Sequence, residues 1–400
     1  MAMMMRSLLF ARTIRHARSA TALQNAARAL STQARLNVAV VGTGRMGQIR
    51  LEGLAVDPRV NIAAIVDSIA PADVCHALEN QYKTRCYKSV EEAGNALLQQ
   101  GAALDGVWVA TPTPSHLAII QECTNPKSSA IKQLRAIGIE KPVGGTLEEI
   151  DEAYDACFRQ HVHLFCSFQR RFDPSYRALW TECVEQQRLG QIQSIHTVFR
   201  DHPCPPIEFL KTGGDPFHDL AVHDIDFVCH LLNEYPTRVY AYGTSLAQEL
   251  CDVNVMDKAS VWLEFGRSGV ICTMDLSRSA VYGYDQRIEV AGEQGMLQVL
   301  NPSKTTLLHS STSGIEATPL VHSLPQRFRE AYLHERDSFI DVLQGKQQPP
   351  VTWNAARMAT IVSEAARLSA VNRKMVTIKY DKTHQRSERH DPVVQCEYEF

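Results

Sequence analysis

From Leu36 onward, short apolar runs alternate with stretches whose apolar residues recur at helical spacing. Residues 36–41 (Leu-Asn-Val-Ala-Val-Val) are an almost uninterrupted apolar run, the pattern of a strand buried on both faces. The glycine-rich turn Gly42-Thr43-Gly44-Arg45-Met46-Gly47 follows, then a helical stretch to about Val56 and a second strand over 60–66 that ends in Asp67. Helices are predicted over 72–81 and 90–100. A strand over 104–110 runs into Thr111-Pro112-Thr113-Pro114-Ser115-His116, where the prolines stop the strand and Ser115 can cap a helix. Residues 124–133 read as a polar insertion. A strand over 135–140 ends at Glu140-Lys141-Pro142, and a helix over 146–160 comes next. The first domain is set at residues 36–160, and a strand over 162–168 completes its alternation.

Beyond Gly190 strand-like runs dominate: 192–199, 238–244, 259–265, 270–276, 286–290 and 296–299. Phe265-Gly266-Arg267-Ser268-Gly269 is a hairpin turn signal between two of them. Amphipathic helices over 327–344 and 354–369 should close back toward the first domain. A second domain therefore spans 161–380, and residues 381–400, polar and without periodicity, read as a frayed tail.

Composition narrows the function. A chain of 400 residues, 44% hydrophobic, can build two ordinary cores. The net charge of −3 and the lack of basic runs interleaved with aromatics argue against nucleic-acid binding. No apolar stretch approaches the roughly 20 residues a membrane helix needs. The 11 cysteines form no C-x-x-C pair, so a cysteine zinc site is not expected. Cys157, Cys166 and Cys272 read as buried thiols in a reducing compartment. Residues 1–35 hold Arg6, Arg12, Arg15, Arg18, Arg28 and Arg35, and the first carboxylate of the chain is Glu52. That composition is expected of a mitochondrial transit peptide, a cytoplasmic protein with an unstructured leader being the alternative.

Strand, glycine turn, helix, strand and acid, in that order, form a dinucleotide fingerprint. Gly42 permits the tight turn, Gly44 lets the backbone approach a pyrophosphate, and Gly47 lets the helix pack on the strand. Asp67 would accept from the ribose hydroxyls and repel a 2′-phosphate, so the expected cofactor is NAD rather than NADP. Oxidising a secondary alcohol also needs a base and a cation beside the nascent alkoxide. Lys141, at a strand end, suits the cation and a proton relay. In His218-Asp219-Leu220-Ala221-Val222-His223-Asp224-Ile225-Asp226 a helix would put Asp219 and His223 one turn apart, His223 as base and Asp219 orienting the pair. A metal site on these residues is set aside, because neither histidine pair has the His–His i,i+4 spacing of a helical zinc site.

These segments resemble the glucose-fructose oxidoreductase/inositol dehydrogenase/rhizopine-catabolism (Gfo/Idh/MocA) family over residues 36–380. Gln169-Arg170-Arg171-Phe172-Asp173-Pro174, Gly213-Gly214 and Gly283-Tyr284-Asp285-Gln286-Arg287 add to the match. The resemblance implies an α/β fold: an N-terminal Rossmann domain plus a C-terminal α+β domain with a large open, mostly antiparallel sheet that mediates homodimers or homotetramers. It implies Lys141, Asp219 and His223 as the catalytic group. Cofactor contacts are expected from Gly42, Gly44, Arg45, Met46, Gly47, Asp67, Thr111, Pro112, His116, Glu140 and Lys141. Substrate contacts are expected from Lys141, Asp201, Asp219, His223 and Tyr284. Phe199 departs from the pattern, since bacterial inositol dehydrogenases often place histidine there. The expected partner is a small-molecule polyol, oxidised as myo-inositol to the 2-keto-inositol, scyllo-inosose. The alternatives are an NAD(P)-dependent aldose or dihydrodiol dehydrogenase and a non-catalytic NAD-binding regulator.

Overall fold

The computed structural model describes residues 35–385 and 392–400, apart from residues 213 and 254, so the expected transit peptide lies almost wholly outside the described residues. Six parallel strands build the first sheet: β1 (Leu36–Val41), β2 (Val60–Val66), β3 (Cys86–Tyr87), β4 (Gly106–Val109), β5 (Ala136–Glu140) and β6 (His163–Ser167), in the order β3-β2-β1-β4-β5-β6. The order reverses direction between β1 and β4, and in such sheets ligands bind at the carboxyl ends beside that point. Because β6 pairs with β5 along its whole length, the sheet runs past the boundary expected at residue 160. The 124–133 segment is less polar in space than in sequence. Ala130 and Ile131 are buried, and Ala130 presses on Gly94 so closely that a Cβ there would lie 2.6 Å from its carbonyl oxygen.

Eight strands form the second sheet, in the order β12-β11-β7-β10-β9-β8-β15-β16. They are β7 (Ile192–Arg200), β8 (Arg238–Thr244), β9 (Lys258–Glu264), β10 (Ile271–Ser277), β11 (Asp285–Gly292), β12 (Gly295–Val299), β15 (Val376–Gln385) and β16 (Pro392–Glu399). Only β7 and β10 pair in parallel. An exposed hairpin, β13 (Leu308–Ser311) and β14 (Gly314–Ala317), stands apart from both sheets. The expectation of a frayed tail after residue 380 is corrected. Residues 381–385 continue β15 and 392–399 form β16, a pairing made by backbone groups and therefore invisible to side-chain periodicity.

Alternation decides which face of this sheet is covered. Val239, Ala241, Val261, Leu263, Cys272 and Met274 point inward against the helices Val222–Leu232 and Trp353–Asn372. The helix Arg329–Leu343 instead crosses to the first domain. There Phe339 meets Trp108 edge-on at 4.8 Å between ring centroids, and Leu343 fills the space beside Gly106.

Arg50 makes the junction polar at one point. It lies over the rings of Trp108 (4.3 Å) and Tyr332 (4.9 Å) and pairs at 2.7 Å with both Glu140 and Glu335. It also donates to Ser167 Oγ at 2.7 Å. Burial opposes its charge, but the two carboxylates outweigh that and raise its pKa.

Candidate active site

The turn after β1 is shaped by sterics. Gly42 has φ +97°, and a Cβ on Gly47 would sit 1.9 Å from Gly42 O. A Cβ on Gly44 would meet nothing within 4 Å, so open space lies over the turn. Gly44 is also the N-cap of the helix Arg45–Ala55, which has no side-chain cap, unlike the helices begun by Ser89, Thr146, Asp173 and Thr352. Uncapped amides under an open space suit a pyrophosphate. NAD therefore fits this turn.

Asp67 closes the turn from the far side. Its Oδ2 accepts from Thr43 N (2.9 Å) and Thr43 Oγ1 (2.7 Å), and its Oδ1 from Ile69 N and Ala70 N. Partial burial opposes the charge, yet these donors win and hold the carboxyl below the usual range. It is a fixed anion at the end of β2.

Two of the expected cofactor contacts have internal partners. His116 is wholly buried, with Nδ1 2.9 Å from Pro142 O and Nε2 2.9 Å from Thr111 O, so it ties the loop after β4 to the loop after β5. Glu140 turns inward, where Oε1 accepts from Arg50 Nε (2.7 Å) and Trp108 Nε1 (3.2 Å). Both position the backbone that carries Lys141. Met46 is half-buried and packs against both cores. Thr111 is half-buried and Pro112 exposed on the loop after β4. Arg45 is exposed, and its charge reaches Asp201 and Tyr284 across the junction.

Lys141 leaves the end of β5 through a cis peptide to Pro142. Its Nζ donates to Asp219 Oδ1 at 2.9 Å and to Asp219 O at 2.8 Å. The two side chains keep 17% and 19% of their surface, so the pair is recessed but reachable. The expected helix around them starts as a π turn, Phe217–Ala221, and becomes α-helical from Val222. Such turns widen a helix locally and recur at functional sites.

Asp219 and His223 are brought together with Lys141, but Asp219 does not bond to His223. His223 is buried between Phe168 and Phe199, at centroid distances of 6.2 and 6.0 Å, and its Nδ1 has no partner among the described residues. Burial, then the charges of Lys141 and Arg170, push its pKa well below the ordinary value, so the imidazole is neutral. Phe199 is thus the wall on which the histidine rests.

Asp201, just past β7, lies close enough to Asp219 and Arg278 to feel both charges. Burial and the nearby Asp219 push its carboxyl up to about 6, against the pull of Arg278. Tyr284 is 2% exposed and packs on Phe199 and Phe328, its hydroxyl pKa raised by burial and then by Asp201. Two neighbouring carboxyls therefore differ. Asp219 is held ionised by Lys141 and Arg278 despite its burial, and Asp201 is pushed up to about 6.

Sequence reasoning missed Arg278. It follows β10, is wholly buried, and donates from Nη1 to Asp219 Oδ2 and from Nη2 to Gly214 O at 3.0 Å. The signal present was an arginine just past a predicted strand, in Leu276-Ser277-Arg278. Its partner lies 59 positions away, and no local pattern identifies it.

Residues 36–168 match the model of an oxidoreductase family with an NAD-binding Rossmann fold, and residues 179–298 match the GFO/IDH/MocA C-terminal domain. The chain is 29% identical over 345 residues to the myo-inositol 2-dehydrogenase of Thermotoga maritima, covering 86% of this chain and 99% of that protein. It is 27% identical over 340 residues to the inositol 2-dehydrogenase of Rhizobium meliloti, covering 85% and 98%. A solved probable dehydrogenase from Thermotoga maritima superposes with a TM-score of 0.78 at 29% identity, covering 86% of this chain and 98% of that one.

Proposed function

The chain belongs to the Gfo/Idh/MocA family of NAD-dependent oxidoreductases, and from that premise we propose that it oxidises one secondary hydroxyl of a cyclic polyol, with myo-inositol as substrate and scyllo-inosose as product. The observation that carries this reading is the recessed Lys141–Asp219 pair beside a neutral, buried His223. NAD, when bound, accepts the hydride from the carbinol carbon. The hydroxyl proton goes to His223, on the ring nitrogen that is not sealed, and a neutral imidazole is the form able to receive it. Lys141 holds its ammonium against the oxygen as negative charge develops there, and Asp219 fixes the direction in which that ammonium points. Asp201, when ionised, accepts a hydrogen bond from a second hydroxyl of the ring, and Tyr284 closes the wall behind it. A nucleotide sensor would gain nothing from burying a lysine–carboxylate pair and a neutral histidine together, so the enzymatic reading is preferred.

NADH formation followed at 340 nm, with inositol isomers and common aldoses in turn, tests the substrate. Turnover of myo-inositol is expected, and Lys141→Ala should lower kcat by at least ~100-fold. Turnover of an aldose with none of any inositol would refute the assignment. We also propose that the uncovered face of the second sheet joins copies of this chain. Tyr240 pairs across the strands with Trp262, and Tyr240, Tyr242 and Ile271 keep 40–48% of their surface exposed.

A further inference from the structure

Lys141 accounts for one oxygen of Asp219, and the reaction as derived leaves the other oxygen without a task. That oxygen, Oδ2, is taken by Arg278. Arg278 is the least exposed charged group of the pocket, and its guanidinium is spread over two acceptors on different elements: Asp219 in the π turn and Gly214 O in the segment before it. Its own backbone N–H donates to Asp257 O at 2.8 Å, so the base of the side chain is anchored too. Anchored at its base and at Gly214 O, the guanidinium fixes Oδ2 of Asp219 while Lys141 holds Oδ1, so the carboxylate is gripped at both oxygens.

We propose that Arg278 is the positioning residue of this active site: it holds Oδ2 of Asp219, and so the direction of the Lys141 ammonium, and places its cation beside the carboxyls of both Asp219 and Asp201. It acts through Asp219 and needs no contact with substrate. The inference rests on the dehydrogenase reading for its kinetic part only.

Several charges face this point. Lys141 comes from the end of β5, Asp219 and His223 from the helical segment, Asp201 from the end of β7 and Arg278 from the end of β10, with Arg45 across the junction. Among them Arg278 opposes the burial and the Asp219 repulsion that hold Asp201 near 6. Removing the guanidinium leaves two carboxyls close together with one fewer cation between them. Asp201 must then hold its proton to a higher pH, by about one pH unit or more.

The test uses the full chain, the variants Arg278→Met and Arg278→Lys, and two measurements. A titration of 13C-labelled aspartate carboxyls by NMR, without substrate, follows Asp201, assigned by its loss in Asp201→Asn. The wild-type midpoint is expected near 6. In Arg278→Met it should rise by about one pH unit, while in Arg278→Lys it should stay near the wild-type position. Steady-state rates with NAD and myo-inositol form the second measurement. Both variants should bind NADH as wild type does and lose kcat, by about 100-fold in Arg278→Met and about 10-fold in Arg278→Lys, with KM changed less. If Arg278→Met does not fold, Arg278→Lys decides alone, and wild-type kcat there removes the case for the guanidinium. A folded Arg278→Met with an unmoved Asp201 midpoint overturns the proposal, as does one with wild-type kcat. Wild-type protein inert toward every inositol would sink the substrate reading and leave the titration to judge Arg278.

Discussion

Two carboxyls of one pocket are set apart by their neighbours alone. Asp219 lies between two cations, whereas Asp201 feels burial and a like charge first. For Asp201 the sign follows directly. Its folded value of about 6 exceeds its ordinary 3.8, so folding favours the protonated form. The stability this contributes is complete below about pH 4 and is lost as pH rises through 6. Asp201→Asn should therefore raise the melting temperature at pH 8 by more than at pH 4. It should also weaken polyol binding several-fold, because the amide replaces an acceptor with a donor on one side. Equal melting shifts at both pH values would show that the Asp201 carboxyl is no harder to ionise in the folded protein than in the unfolded chain. At this scale the sequence was informative where function needs one residue type at one backbone position. Lys141, Asp219, His223 and the glycine turn could be named from their order. His116 and Glu140 could not be assigned, because direction separates a ligand contact from a strut, and both point inward.

Among the elements, the helix Arg329–Leu343 contributes most beyond its own domain. Phe339 lies within 4.8–5.7 Å of Trp108 and Phe165, centroid to centroid, and Leu343 occupies the place a side chain at position 106 would take. Phe339→Ala should cost about 3–5 kcal/mol in denaturant unfolding, the range for a buried aromatic ring. NADH binding should weaken in parallel, since the helix also presents Glu335 to Arg50. A loss below ~1 kcal/mol would mean that the first sheet repacks without this helix. Strands β7 to β12 were legible nearly to the residue, because period-2 alternation accompanies a sheet covered on one face, whereas β15 was not read as a strand. The π turn was not, since a single extra residue leaves the spacing of Asp219 and His223 looking helical. Strand β16 was hidden for another reason. An edge strand is held by its backbone, and its side chains need no pattern.

Taken whole, the molecule has one sheet covered on both faces and another covered on one. The first needs nothing further to be dry. The second leaves Tyr240, Tyr242 and Ile271 in solvent, with Trp262 between strands that carry them. If copies associate there, light scattering should give a dimer or tetramer. Tyr240→Glu with Tyr242→Glu should then yield a monomer with its NADH affinity retained. A wild-type monomer at micromolar concentration would leave that face without a partner of its own kind. The two-domain α/β plan was readable in advance because each domain announces itself by a different periodicity. Their junction was not, since Arg50, Glu140 and Glu335 are far apart in sequence and meet only after folding.

The core beneath β1 and β4 includes Phe339, Ile340, Val342 and Leu343 beside Val38, Val40 and Trp108. During synthesis, then, the nucleotide-binding half emerges early yet waits for some 170 further residues, roughly ten seconds or more of translation, before its apolar flank is sealed. Until then that flank is a surface a chaperone could hold. A gene fragment ending after β6 should behave as an unfinished protein rather than as a separable cofactor-binding module.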